Sequence, residues 1–302
     1  MDSTNALGEY LRARREQVRP EDVGIRSIGL RRVPGLRREE VAMLAGISSD
    51  YYLRLERGRD RNPSVQVLEA LADVLRLDPD ATAYLISLAQ ERPHVTPKPR
   101  ATGRVPASIV ELIDGLPNHP AYVQNKYTDC LAVNPLCAAL SPNYAVGVNL
   151  LTAVLLDPRE RALRRDWDDL TEEGVAILRT ELGPNVDDPR LKELVGDLSV
   201  RSDRFRQLWA RHEVRPRKGR LSQLTHPEVG ELNLRSDKLT IGGTDGMTLV
   251  VFHAVPGSRD VESLALLGSL VASSTDHDEH QEAGEAPEQS TQPTKPSDRT
   301  HE

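Results

Sequence analysis

From Leu7 to Leu88 the apolar residues recur at helical spacing, in short runs that close on glycine or proline. Leu7, Tyr10, Leu11 and Arg14 predict a first helix, capped by Ser3 or Asn5 and reaching about Val18 before Arg19-Pro20. Arg37 to Ala45 predicts a second, with Val41, Leu44 and Ala45 on one face. Glu39 and Glu40 fall in its first turn, where the helix dipole favours anions. Gly46 permits a left-handed turn, and Ser48 is a suitable N-cap for a third helix that turns Tyr52 and Leu55 inward and stops at Gly58. Ser64 caps a fourth, striped by Val65, Leu68, Leu71, Ala72 and Leu75. Asp78-Pro79 opens a fifth through Tyr84, Leu85 and Leu88.

The pattern then changes. Arg92 to Pro106 holds Pro93, Pro97, Pro99 and Pro106 with little that is apolar, the composition of a semi-rigid linker. The expected division is a helical domain over 1–92, a linker over 93–106, a second domain over 107–271 and a tail over 272–302. In the second domain Ala121–Gln124 and Cys130–Val133 read as a hairpin, and Asn134-Pro135 starts helical material. Residues 150–208 are helical in pattern, punctuated by Asp157-Pro158, Gly183-Pro184 and Asp188-Pro189. From Val229 three strands are expected, around Leu232 and Leu234, around Leu239 and Ile241, and over Leu249–Phe252. Two strands, a helical middle and three strands predict an α+β domain with one five-stranded antiparallel sheet faced by helices. The tail is rich in Ser, Thr, Pro, Gln, Asp and Glu, and from Ser273 it has no aliphatic residue larger than Ala. It is expected to be disordered and acidic.

Charge sharpens the reading of the first domain. The 302-residue chain carries a net charge of −7, yet Leu7 to Arg61 holds thirteen arginines, no lysine and nine acidic residues. A locally basic face supplies the phosphate attraction that DNA binding needs. The second and third helices, joined over a glycine-centred turn, form a helix-turn-helix, whose second helix enters a major groove. On its outward face Ser49, Asp50 and Arg54 are candidates for reading bases, while Arg38, Ser48, Tyr51 and Arg57 are candidates for phosphate; Arg37 joins the DNA-contacting set. Arg31 and Arg32, in the long Pro20–Gly35 connection, read equally well as an arm on DNA or as solvated loop arginines.

Leu36 to Gly58, with its Leu55-Glu56-Arg57-Gly58 ending, resembles the Cro/repressor-like (XRE) helix-turn-helix class, which implies a five-helix repressor-like domain. The element order of the second domain resembles a PAS-type sensor. Val33–Ala42, Leu208–Val214, His226–Gly230 and Pro256-Gly257-Ser258 together resemble the MmyB-like transcription regulators over about residues 5 to 270. That resemblance implies a small hydrophobic, acyl-chain-like ligand, with Tyr122, Leu131, Val133, Phe205, Trp209 and His212 as candidate contacts. The family often has an aromatic residue where this chain has Val133, which implies a wider or differently shaped cavity.

Other chemistry finds no motif. Cys130 and Cys137 match no metal or redox spacing and read as buried, reduced residues. His212, His226 and His253 lack ligand-spaced partners, and His212 and His226 read first as structural. Ile241–Gly246 lacks the helix that would make a phosphate cradle, and no nucleophile elbow is present, so neither an enzyme nor a cofactor is expected. The N-terminus has no signal-like segment and no apolar run approaches membrane length. The expectation is a cytoplasmic, homodimeric transcriptional regulator that binds operator DNA and senses a small ligand. The alternative is a DNA-anchored module whose second domain binds a protein.

Overall fold

The computed structural model describes residues 5–25, 35–60, 62–89, 103–182, 188–215 and 218–284. Arg31, Arg32, Arg61, the first three linker prolines, Gly183-Pro184 and residues 285–302 lie outside that set. Five helices build the first domain: α1 (Ala6–Gln17), α2 (Arg38–Leu44), α3 (Ser49–Glu56), α4 (Val65–Val74) and α5 (Pro79–Ala89). A short 3-10 turn, Pro20–Val23, follows α1. Tyr10, Leu11, Leu36, Val41, Tyr52, Leu55, Leu68, Leu71 and Leu85 fill the core.

Two local expectations are corrected. Asn5 precedes α1 without capping it; its Nδ2 instead donates to the Glu56 carbonyl at 3.0 Å. Leu44 is exposed, because the buried arc of α2 is set by Val41 and Ala42 with Ala45, and Leu44 lies off that arc. Ser48 does cap α3, accepting from the Tyr51 amide at 3.1 Å, and Gly46 takes the left-handed φ of +67° in the turn. A Cβ on Gly8 would stand 2.3 Å from the Glu56 carbonyl oxygen, so glycine there lets α1 lie against the end of α3.

The second domain opens with α6 (Ala107–Asp114), which the sequence reading did not place. Strands β1 (Ala121–Gln124) and β2 (Cys130–Val133) fall where expected, and Asn134 caps α7 (Pro135–Leu140). The helical middle resolves into α8 (Leu150–Leu156), α9 (Pro158–Leu163), α10 (Trp167–Leu182), α11 (Pro189–Arg201) and α12 (Asp203–Ala210). Then come β3 (Arg220–His226), β4 (Gly230–Thr240), β5 (Thr248–His253) and α13 (Arg259–Gly284). The sheet is antiparallel throughout, in the order β2-β1-β5-β4-β3.

The expected total of five strands holds, but the last three are divided differently. Leu232–Leu234 and Leu239 belong to one long strand, β4, and its hairpin partner β3 begins at Arg220. The polar stretch Arg235-Ser236-Asp237-Lys238, which resembles a turn, stays in register: Ser236 stands opposite Arg220 on one side and Phe252 on the other. Leu264 and Leu267 of α13 are buried against the sheet domain, and the helix continues past Val271 to Gly284, since a lack of large aliphatic residues does not stop a helix.

The two sheet faces are both covered. Tyr122, Leu224, Leu232, Leu234, Val250 and Phe252 face α7 and α13, while Ala121, Val123, Ala132 and Leu249 meet Ile113 of α6. A separate helical core of Leu151, Val175, Leu178, Leu191, Leu194, Leu198, Phe205 and Leu208 holds α8, α10, α11 and α12 together. The domains also touch. Val214 is buried in the first domain's core, Gln17 donates to the Arg211 carbonyl at 2.6 Å, and Lys218 pairs with Asp80 at 3.1 Å.

Candidate DNA-reading helix and ligand cavity

The reading helix is held by one buried carboxylate. Glu56, at the end of α3, receives Arg15 Nε at 2.6 Å and Arg38 Nε at 2.5 Å, tying α1 and α2 to α3. Arg15 also donates to the Leu36 carbonyl at 2.8 Å, so the ion pair is fully hydrogen-bonded inside the domain. The sequence reading gave Glu56 no role and put Arg14 on the α1 stripe, whereas Arg15 is the arginine that is buried.

Around this anchor, Arg37, Arg38, Ser48, Ser49, Asp50 and Arg57 are exposed, and Tyr51 and Arg54 are half-buried. Arg54 lies 5.4 Å from the Tyr51 ring centre and pairs with Asp50, one turn before it, and with Asp60 at 4.0 Å. The α3 side chains thus share one surface, with Arg54 ordered before any ligand arrives. Arg38 is partly committed to Glu56, and the remainder of its guanidinium is open to solvent.

In the second domain a cavity of about 110 Å³ opens between the sheet and α8 and α10. Its apolar wall is Tyr122, Leu150, Leu151, Val154, Ile177, Val250 and Phe252. Its polar wall includes Gln124, Glu160, Arg164, Glu173, Arg220, Ser222, Ser236 and Lys238. Tyr122, Tyr144 and Phe252 meet ring to ring at 5.0–6.1 Å along one side. Burial raises the pKa of both tyrosines, keeping their hydroxyls protonated. Arg164 donates to the Tyr144 hydroxyl at 2.8 Å and pairs with Glu160 at 3.2 Å. Arg220 pairs with Asp166 at 2.5 Å and approaches Glu173 at 3.6 Å, and Lys238 reaches Glu173 at 2.8 Å.

Of the six candidate ligand contacts, Tyr122 alone is among the cavity-lining residues. Leu131 lines a separate, more open depression of about 600 Å³ on the other side of the sheet, and Val133 packs beside α7 without lining the cavity. Phe205 and Trp209 stack at 5.4 Å within the helical core. His212 accepts from Arg179 at 3.2 Å, with a φ of +53°, and burial followed by the Arg179 charge lowers its pKa to about 4. His226 is also structural, set against the Ala139 carbonyl at 2.9 Å. Both cysteines are free and buried, and burial raises the Cys130 thiol to about 11. The missed cavity residues carried one legible signal: Ser236 and Lys238 alternate with outward positions, so polar side chains fall on the covered face of the sheet.

A helix-turn-helix with an ordered arginine surface, joined to a sheet domain holding a part-polar cavity, defines a DNA-binding transcription regulator with a ligand-binding domain. A helix-turn-helix family model matches residues 6–85, and a model described as the MmyB-like transcription regulator ligand binding domain matches residues 105–267. The chain belongs to the MmyB-like transcription regulators. No curated protein matches it. Among the described residues no helix is long and apolar enough to cross a membrane.

Proposed function

We propose that this regulator acts in the cytoplasm as a homodimer on a two-fold operator, with α3 in the major groove of each half-site. Ser49, Asp50 and Arg54 read base edges, and Arg37, Arg38, Ser48, Tyr51 and Arg57 hold phosphates. A small ligand with an apolar body occupies the cavity and biases the relative placement of the two reading helices. The observation that carries this reading is the pre-ordered Asp50–Arg54–Tyr51 surface on the outward face of α3. The acyl-chain-like ligand implied by family resemblance meets a cavity of about 110 Å³, below the ~150 Å³ of a cavity that binds benzene, so a longer chain requires the walls to part.

Arg54→Ala is expected to weaken binding to an operator selected from random duplexes by about 1–3 kcal/mol and to relax the preferred sequence. Fluorescence anisotropy on selected and scrambled duplexes measures both. A uniform loss on the two duplexes assigns Arg54 to phosphate instead. A protein-binding role for the second domain is favoured by Leu266 and Leu270, exposed one turn apart on α13. Native mass spectrometry separates the readings by showing a retained small molecule or a bare chain.

A further inference from the structure

We propose that the acidic segment of residues 273–302 lies across the arginine face around α3 of its own chain and is expelled when DNA binds; this rests on the DNA-binding reading above. Charge is segregated along this protein. Residues 273–302 hold eight acidic residues against Lys295 and Arg299, which makes up −6 of the net −7, so the rest of the chain is almost neutral. In the second domain exposed arginines are answered in place: Arg165 by Glu231, Arg190 by Glu193, Arg201 by Asp197 and Arg211 by Glu172. Around the reading helix the balance differs. Arg37, Arg57 and Arg59 are exposed, and none of them forms an ion pair with another described residue.

Carboxylates thus gather at one end of the chain and unanswered arginines on one face, and the field that draws phosphate to that face draws carboxylates too. Reach allows the contact. Leu264 and Leu267 hold α13 on the second domain, and the helix runs on to Gly284. Eighteen more residues follow, a length that extends to at most about 60 Å, whereas a small domain is about 30 Å across. Each surface ion pair is weak, but tethering supplies an effective concentration in the millimolar range, so several pairs together hold the segment. Duplex DNA offers a denser line of negative charge and displaces it. A face covered part of the time lowers affinity for every duplex by one common factor.

The test is a full-length variant in which every Asp and Glu of residues 273–302 becomes Asn or Gln. Selected and scrambled duplexes are both expected to bind it about tenfold tighter than the parent at low salt, and the gain is expected to shrink as salt rises. A spin label on Ser290→Cys reports the contact itself, because Cys130 and Cys137 are buried. The label is expected to broaden the amide signals of α3 in the free protein and to release them when duplex is added. Tighter binding by the neutral variant without that broadening overturns the proposal, since it reduces the segment to long-range repulsion of DNA. Broadening with DNA affinity unchanged in the neutral variant overturns it as well, as does broadening found only between separately labelled copies. Failure of parent and variant alike to bind either duplex overturns the DNA-binding reading and the proposal together.

Discussion

Glu56 shows how one residue can decide whether a reading surface exists. Its carboxylate is buried between two arginines, so truncation takes away the buried anion nearest Arg15 and leaves that charge only the half-exposed Glu16 at 3.6 Å. Glu56→Ala is therefore expected to destabilise the first domain by about 3–5 kcal/mol, measured by urea unfolding. His212 makes a pH-dependent contribution of opposite chemistry. Its folded-state pKa of about 4 lies below the ordinary value of 6.5, so the unfolded chain takes up the proton first. That contribution is intact above about pH 6.5 and drains away as pH falls toward 4. His212→Asn, which tolerates the left-handed backbone, is expected to flatten the fall in melting temperature between neutral and acid pH. At this scale the sequence was legible where chemistry is local. Ser48 and Asn134 announce their caps by type and position. The Arg15–Glu56 and Arg220–Asp166 pairs join residues 41 and 54 positions apart, which no spacing rule links.

Elements were readable in proportion to their apolar contrast. The helices of the first domain each carry a continuous stripe, and β1 and β2 are short apolar runs between polar turns. The α3 helix depends on its cap as well as its stripe, so Ser48→Ala is expected to cost about 1 kcal/mol in thermal unfolding and to loosen α3 before the other helices exchange. By contrast β3 shows only Leu221 and Leu224 as large apolar residues, and one of them faces solvent. Its polar inward positions, Arg220 and Ser222, belong to the cavity, so the feature that hid the strand is the one that gives the pocket its polar wall. The same substitution of ligand chemistry for core chemistry makes the middle of β4 resemble a turn.

Across the whole molecule the two domains share one helix. Leu170, Glu173, Gly174 and Ile177 of α10 border the cavity. Two residues beyond Ile177, Arg179 interacts electrostatically with Tyr84 of the first domain, lies 3.9 Å from the Trp209 ring centre and donates to the Trp209 carbonyl. Arg179→Met retains an aliphatic stem over Trp209 and deletes the polar link. Calorimetry is expected to resolve two unfolding transitions in that variant where the parent gives one. Because a single helix meets both the cavity and the DNA-binding domain, any coupling that it carries is reciprocal. Whatever factor a bound molecule applies to operator affinity, operator DNA must apply to that molecule's affinity. If the cavity holds an effector, a promoter occupied by this protein shifts the affinity for that effector by the same factor, and the genome then acts as a reservoir that holds or expels it.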